Sequence, residues 1–437
     1  MPVVAVDLGL MMMGTVDTMF VGRLPENAAS AVAAVAIGHT YYWVTVVVGF
    51  GILFALDPLI TQAVGANDEP AITRAVQRGF LIAAVLAVVT GMMLLPGEAV
   101  LRFLRQPPEI IPNAAAFVRA SVGGIFPLYA FIVIRILLQA HHRTAPLVIA
   151  IVAANVVNAA LNYVFVFGKF GVPAMGPVGS GWASTCARWV LLVTIVAIAW
   201  RDIARRVRPW RRDAFAIKPL ARIFAIGIPI FIQYELEVNA FAVVAVMMGW
   251  IGTTAMAGHQ ISINLAALTF MVPLGISAAG AIQVGRAVGA GDHAGVRRAA
   301  GAALAIGVAF MSITAIAMLA IPRVLARAYT AEEAVLATAV MLLPLAGLFQ
   351  VFDGIQVVAV GILRGTGDTR TPMIINVLGF WCLGVPVSAY LGMRTSLGAR
   401  GLWIGFVVGL AAVAVLLLLR VRYRLRQPLA RTLVDTV

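Results

Sequence analysis

Apolar runs long enough to cross a bilayer fill most of this 437-residue chain, and clusters of Gly, Pro, Asn and charged residues interrupt them at short intervals. A membrane helix needs about 20 apolar residues to cover about 30 Å of hydrocarbon. Reading the runs against the breakers predicts twelve helices, over 2–22, 34–63, 79–97, 112–138, 146–168, 179–199, 220–249, 257–287, 297–321, 335–363, 372–392 and 399–420. The fold class expected is therefore an all-α integral membrane protein with twelve transmembrane helices and short connections.

Composition agrees with that pattern. Hydrophobic residues make up 62% of the chain and charged residues 11%, with a mean hydropathy of +0.99, against about 25% charged in soluble domains. The net charge of +14 does not indicate nucleic acid, because the arginines sit between apolar runs rather than along one polar face. Counting basic residues at helix ends with the adjoining segment, the segments after even-numbered helices hold 21 Lys and Arg and the alternate ones 8. The positive-inside rule then predicts a multi-pass protein of a bacterial inner membrane with both termini cytoplasmic. The chain opens at Met1-Pro2-Val3 almost inside its first span, without a charged leader, so no cleavable signal is expected. Cys186 and Cys382 lie in apolar runs and suggest neither a disulfide nor a metal site.

The most basic stretch, Arg201 to Arg222, divides the chain into an N-terminal six-helix lobe (1–199), a basic cytoplasmic linker (200–219) and a C-terminal six-helix lobe with a basic tail (220–437). The halves repeat each other. Val64-Gly65-Ala66-Asn67-Asp68 returns as Val288-Gly289-Ala290-Gly291-Asp292, an offset of 224. Leu138-Gln139 with Thr144-Ala145-Pro146 returns as Arg364-Gly365 with Arg370-Thr371-Pro372, an offset of 226, and Gly179-Ser180-Gly181-Trp182 loosely matches Gly401-Leu402-Trp403. Six helices per half bring both repeats into the membrane from the same side, related by a pseudo-two-fold axis along its normal, an organisation found in transporters with a central cavity.

Six acids interrupt the apolar runs: Asp7, Asp17, Asp57, Glu235, Glu237 and Asp353. Each costs about 2.5–3.5 kcal/mol at the bilayer centre, which a task in a water-filled cavity or an arginine partner such as Arg119, Arg135 or Arg188 must offset. Asp353 is the deepest, with apolar sequence on both sides. Glu235 and Glu237 are two residues apart, roughly 200° around a helix, so only one faces the cavity and the other finds a neighbouring partner. Asp17 lies near the outer end of the first helix, while Asp7 and Asp57 are shallow enough to reach water by snorkelling. Asn155, Asn158 and Asn162 crowd two turns of the fifth helix, with the last two sharing a face, and fit cation coordination, substrate hydrogen bonding or helix joining. Tyr234, Phe241, Phe349 and Phe352 near the acids fit cation–π contact or plain packing.

Other chemistry finds no support. Gly365-Thr366-Gly367-Asp368-Thr369 lacks the Gly-Lys-Ser/Thr ending of a P-loop, and His39, His141, His142, His259 and His293 make no zinc spacing. No cofactor, no resident metal and no enzyme activity are expected.

The chain resembles the multidrug and toxic compound extrusion (MATE) family, NorM-like branch, across its whole length. The resemblance is carried by Val16-Asp17-Thr18-Met19-Phe20-Val21-Gly22, Gln62-Ala63-Val64-Gly65-Ala66 and Asn158-Ala159-Ala160-Leu161-Asn162-Tyr163 leading to Gly168-Lys169-Phe170-Gly171. In the second half its carriers are Glu237-Val238, Ala257-Gly258-His259-Gln260, and Asp353 with Ile362-Leu363-Arg364-Gly365-Thr366-Gly367-Asp368-Thr369-Arg370-Thr371-Pro372.

That resemblance implies a V-shaped pair of lobes, working as a monomer in the lipid bilayer, that exports small organic cations in antiport with Na⁺ or H⁺. It places a coupling site at Glu237 and Asp353, where monovalent Na⁺ would bind, and a polar site at Asp17 with Asn158 and Asn162. Glu235, Tyr234 and Phe349 are the further cavity candidates. Asp57 departs from the family pattern, which has a neutral residue there. The rival reading is a lipid-linked oligosaccharide or lipid flippase of the same superfold, expected to favour cavity arginines over paired acids. A membrane enzyme of lipid metabolism would need interfacial catalytic loops that the sequence does not display.

Overall fold

The computed structural model describes residues 2–435, which are predominantly helical with no strand among them. The unled start at Met1 lies outside the described residues. The helices are α1 (Pro2–Val21), α2 (Ala28–Leu53), α3 (Leu56–Gly65), α4 (Glu69–Leu94), α5 (Gly97–Phe103), α6 (Ile111–Val122), α7 (Ile125–Ala140), α8 (Ala145–Phe167) and α9 (Pro177–Ile198). They continue as α10 (Trp200–Val207), α11 (Ile217–Ile251), α12 (Thr253–Gly289), α13 (His293–Ala320), α14 (Pro322–Arg327), α15 (Glu333–Gly365), α16 (Arg370–Asn376), α17 (Val385–Met393) and α18 (Ala399–Arg424), with a π-helical stretch between α16 and α17. Among the described residues eleven helices or continuous helix pairs are long and apolar enough to cross a membrane, and α6 with α7, bent by 48°, makes twelve if that pair is one broken span.

At the third span a polar cap explains why the helix start differs from the sequence expectation. The third span begins at Glu69, ten residues before the apolar run, because Asp68 accepts a hydrogen bond from the Ala71 amide (3.0 Å) and Pro70 occupies the first turn. Hydropathy detects the hydrocarbon, whereas the cap decides where the helix starts. The stretch 200–219 is not bare linker: Gln77 of α4 donates to the Arg206 and Pro209 carbonyls and accepts from the Arg211 amide, all at 3.0 Å.

The sequence repeat is a repeat of turns. Asn67 and Gly291 both take left-handed φ, +54° and +70°, and Asp292 caps the Gly295 amide (2.7 Å) as Asp68 caps Ala71. After α7 the Arg143 amide donates to Leu138 O, and after α15 the Asp368 amide donates to Leu363 O, the six-to-one bond that closes a helix C-terminus. Before α9 and α18 stand Gly176 and Gly398, with φ/ψ of 53°/−130° and 51°/−125°.

The chain forms two compact units. The first takes in residues through Leu56, then Asp68–Phe224, and the tail from Val434; the second takes in Asp57–Asn67 and Ala225–Leu433. In the first unit the Asp435 carboxylate pairs with Arg74 (2.8 Å) and the buried Arg78 (2.6 Å), while Arg222 donates to Val434 O (2.9 Å). Burial alone would raise the Asp435 pKa, but the two guanidiniums outweigh it and hold the carboxyl below its usual range.

The second unit packs α18 against the π-helical stretch and α17 through Gly401, Gly405 and Gly409, spaced four apart on one face. A Cβ at Gly405 would stand 2.2 Å from the Ser388 amide nitrogen, and one at Gly409 2.5 Å from the Gly384 Cα. Small residues let membrane helices approach to backbone contact, and here no side chain fits between them.

Two outcomes follow from these contacts. Gly405→Val should destabilise the protein by about 1–3 kcal/mol through overpacking, read as a lowered melting temperature in detergent. Asp435→Ala should free the tail, so that trypsin cuts after Arg431 several-fold faster than in the parent. In the parent the tail should stay anchored through neutral pH and loosen only as acid protonates Asp435, because its lowered pKa makes the carboxylate's contribution present above the unfolded value and lost below it.

Candidate functional site

Within the second unit, α11, α12 and α15 enclose a chamber of about 340 Å³ whose walls are mainly apolar. Helix periodicity builds it. Gln233, Tyr234, Glu237 and Phe241 present one face of α11, while Asp353, Gln356, Val360 and Arg364, at steps of three, four and four, present one face of α15. Pro229, Pro273 and Pro344 lie inside the three helices, where each removes a backbone donor and favours a bend. Phe349 anchors the aromatic wall, stacked on Phe406 (5.2 Å between centroids) and edge-on to Phe241 (5.7 Å) and Trp403 (5.8 Å).

The chamber holds two carboxyl groups. Glu237 Oε2 accepts a hydrogen bond from Gln356 Nε2 at 2.9 Å. Asp353, 6% exposed, keeps Oδ1 without a hydrogen-bond partner among the described residues, as does Gln356 with Oε1. The buried Asp353 and Gln356 and the half-buried Glu237 thus converge with acceptor capacity to spare, an arrangement suited to a proton, a monovalent ion or an organic cation. Among the described residues no group of three or more His, Cys, Asp or Glu is placed to hold a metal ion.

Glu235 lies apart from Glu237. It is not among the chamber's lining residues, and its carboxylate accepts from Asn239 one turn on, at 3.2 Å. The two-residue spacing that separates it from Glu237 around the helix is the physical reason. Tyr234, Phe241 and Phe349 line the chamber, whereas Phe352 packs against the core beside it.

The first unit holds a separate polar cluster. Asp17, fully buried on α1, accepts from Asn162 Nδ2 (2.8 Å) and Asn158 Nδ2 (3.1 Å) of α8 through Oδ1, and from Ser184 Oγ (2.5 Å) of α9 through Oδ2. Three donors from two helices satisfy a carboxylate in place of water. Asn155 points elsewhere, donating to Gly9 O at 2.9 Å and so joining α8 to α1. Close to the cluster, the Arg188 guanidinium lies 4.4 Å over the Tyr42 ring.

The two shallow acids do not rely on snorkelling. Arg135 forks onto both oxygens of Asp7 (2.6 and 3.0 Å), and Arg364 lies 3.6 Å from Asp57. Desolvated guanidiniums offset what water was expected to offset. Sequence reasoning missed Ser184, Gln356 and Arg364 as site residues. Gln356 and Arg364 were detectable as the polar positions in helical register with Asp353; Ser184 had no signal beyond its own polarity.

Comparison with known proteins agrees with this arrangement. The MatE family model matches residues 2–164 and 229–390, one segment in each half. A probable multidrug resistance protein NorM from Bradyrhizobium diazoefficiens is 38% identical over 98% of this chain and 92% of its own length, and the multidrug resistance protein MdtK of Edwardsiella ictaluri is 33% identical over 98% and 94%. Among solved structures, MATE in its bent conformation superposes with a TM-score of 0.87 at 18% identity, covering 98% of this chain and 94% of that one. The eukaryotic MATE transporter AtDTX14 superposes with a TM-score of 0.81 at 22% identity, over 97% and 96%. The order of the twelve spans, the doubled turns and these matches together show that the chain belongs to the MATE family of membrane transporters, on its NorM-like branch.

Proposed function

We propose that this protein is a secondary active multidrug efflux transporter of a bacterial inner membrane that exports cationic, amphipathic compounds in exchange for Na⁺ or H⁺. The observation that carries this reading is the pair of acids in one buried chamber, Glu237 and Asp353, with unpartnered acceptor oxygens on Asp353 and Gln356 against an aromatic wall. The names of the NorM and MdtK relatives point the same way. A flat aromatic cation fits both halves of the lining, its charge on the carboxylates and its rings against Phe241 and Phe349.

The exchange follows from charge. Two carboxylates at membrane depth are costly unless neutralised, so the chamber favours holding either protons, Na⁺ or an organic cation. An ion displaces the drug only by the difference in its binding free energy between the two access states. The membrane potential adds about 2.3 kcal/mol per charge per 100 mV. Asp17, with Asn158, Asn162 and Ser184, is a second cation site in this reading. The arginine distribution supports cytoplasmic termini.

The flippase alternative rests on one observation, that Arg364 also lines the chamber. Its guanidinium is paired with Asp57, while Glu237 on α11 and Asp353 on α15 remain, so the chamber retains an acidic character.

Proteoliposome transport tests the reading. Asp353→Asn and Glu237→Gln should each abolish gradient-driven transport of an ethidium-like dye while leaving membrane insertion intact; dye transport at the parent rate in both would sink the assignment. Imposing Na⁺ and H⁺ gradients separately should drive dye with one ion and not the other. Asp17→Glu should keep part of the transport that Asp17→Asn loses, and equal activity of the two would remove Asp17 from the cation-binding set.

A further inference from the structure

One end of the chamber is formed by Arg364, the last wall residue of α15, and two groups hold it. Its guanidinium is hydrogen-bonded to the Tyr234 hydroxyl and lies 3.6 Å from the Asp57 carboxylate. Tyr234 stands one turn from Glu237 on α11 and lines the same chamber. Both partners of the ion pair are withdrawn from water, with side-chain exposures of 8% and 17%.

Asp57 belongs to α3, and the manner in which residues 57–67 dock makes the pair meaningful. They meet α12 and α15 through backbone and small residues. A Cβ at Gly289 would stand 1.9 Å from Gln62 O, one at Gly65 2.0 Å from Arg286 O, and one at Gly285 2.1 Å from Thr61 Oγ1. The directional bonds beside these are Gln62 Nε2 to Gly365 O (2.9 Å) and the Thr432 amide to Gln62 Oε1 (2.6 Å). Such a seam rests on close backbone approach, with the Gln62 bonds and the ion pair as its directional contacts. A desolvated ion pair is seldom the most stabilising filling for a packed site, yet loss of one partner is costly. That combination suits a contact that is made and broken.

We infer that Asp57 is a positioning residue for the transport chamber: it locks Arg364 across the chamber's end and, through that pair, locks segment 57–67 in its docked position. Release of the pair frees both, opening the chamber at that end and removing a fixed cation from its wall. The inference rests on this chamber being the transport site, but not on which ion drives it.

Accessibility of Val360, a chamber-lining residue one turn before Arg364, reads the lock directly. In a background with Cys186→Ser and Cys382→Ser, Val360→Cys would be modified with a membrane-impermeant maleimide in oriented vesicles, with and without changes at Asp57. Asp57→Asn should speed modification about tenfold, and Asp57→Glu, which keeps the charge, should return the rate to within about twofold of the parent. Arg364→Lys, which retains charge but lacks the planar guanidinium fork, should also speed modification. An unchanged rate in both Asp57→Asn and Arg364→Lys would overturn the lock, as would an increase that Asp57→Glu fails to reverse. Adding Glu237→Gln should leave the Asp57→Asn acceleration in place, so failure of the ion-coupling assignment and failure of the lock are told apart.

Discussion

A carboxylate carried to membrane depth must find a partner there, and the interior of this protein is arranged around that requirement. It is met in four distinct ways. Asp7 takes a forked guanidinium from Arg135, Asp57 lies beside Arg364, and Asp17 accepts three neutral donors from α8 and α9. Glu237 and Asp353 are answered only in part, since Gln356 donates to one and leaves its own carbonyl oxygen and Asp353 Oδ1 without a partner. Asp7 and Asp57 are thus each answered by a guanidinium. Incomplete partnering in a chamber of about 340 Å³ is the feature on which the proposed cation exchange rests.

Duplication supplies the frame in which these acids sit. The paired caps at Asp68 and Asp292, the paired left-handed residues Asn67 and Gly291, and the paired glycine entries to α9 and α18 show one six-helix plan used twice. The polar chemistry is not duplicated with it. One unit concentrates amides around a single acid, and the other concentrates aromatics around two. The turns are fixed by backbone geometry, which tolerates few residues at a left-handed position, whereas lining positions need only a helical register.

How much of this was legible in the sequence follows from the range of the interactions. The spans were legible because hydrocarbon imposes an apolar run of fixed length, and Asp353 stood out because nothing near it in sequence relieves its cost. The 200° between Glu235 and Glu237 implied that only one faces the chamber, and the structure places Glu237 there. Contacts between distant segments were not legible. Asp57 and Arg364 lie 307 residues apart, and nothing local to either identifies the other; the same is true of Asp435 with Arg74 and Arg78, and of Ser184 with Asp17. Helix ends were misjudged wherever a cap such as Asp68 extends a helix beyond the apolar run.

At the centre of this account is competition between an inorganic cation and an organic one for the carboxylates of one chamber. It is tested most directly by titrating purified protein with an ethidium-like dye in weak buffer while recording released protons and displaced radioactive sodium. The account predicts that dye binding releases one or the other, and that Asp353→Asn with Glu237→Gln loses both the release and most of the dye affinity. Dye that binds with neither ion released, and with the same affinity in the double variant, would contradict it.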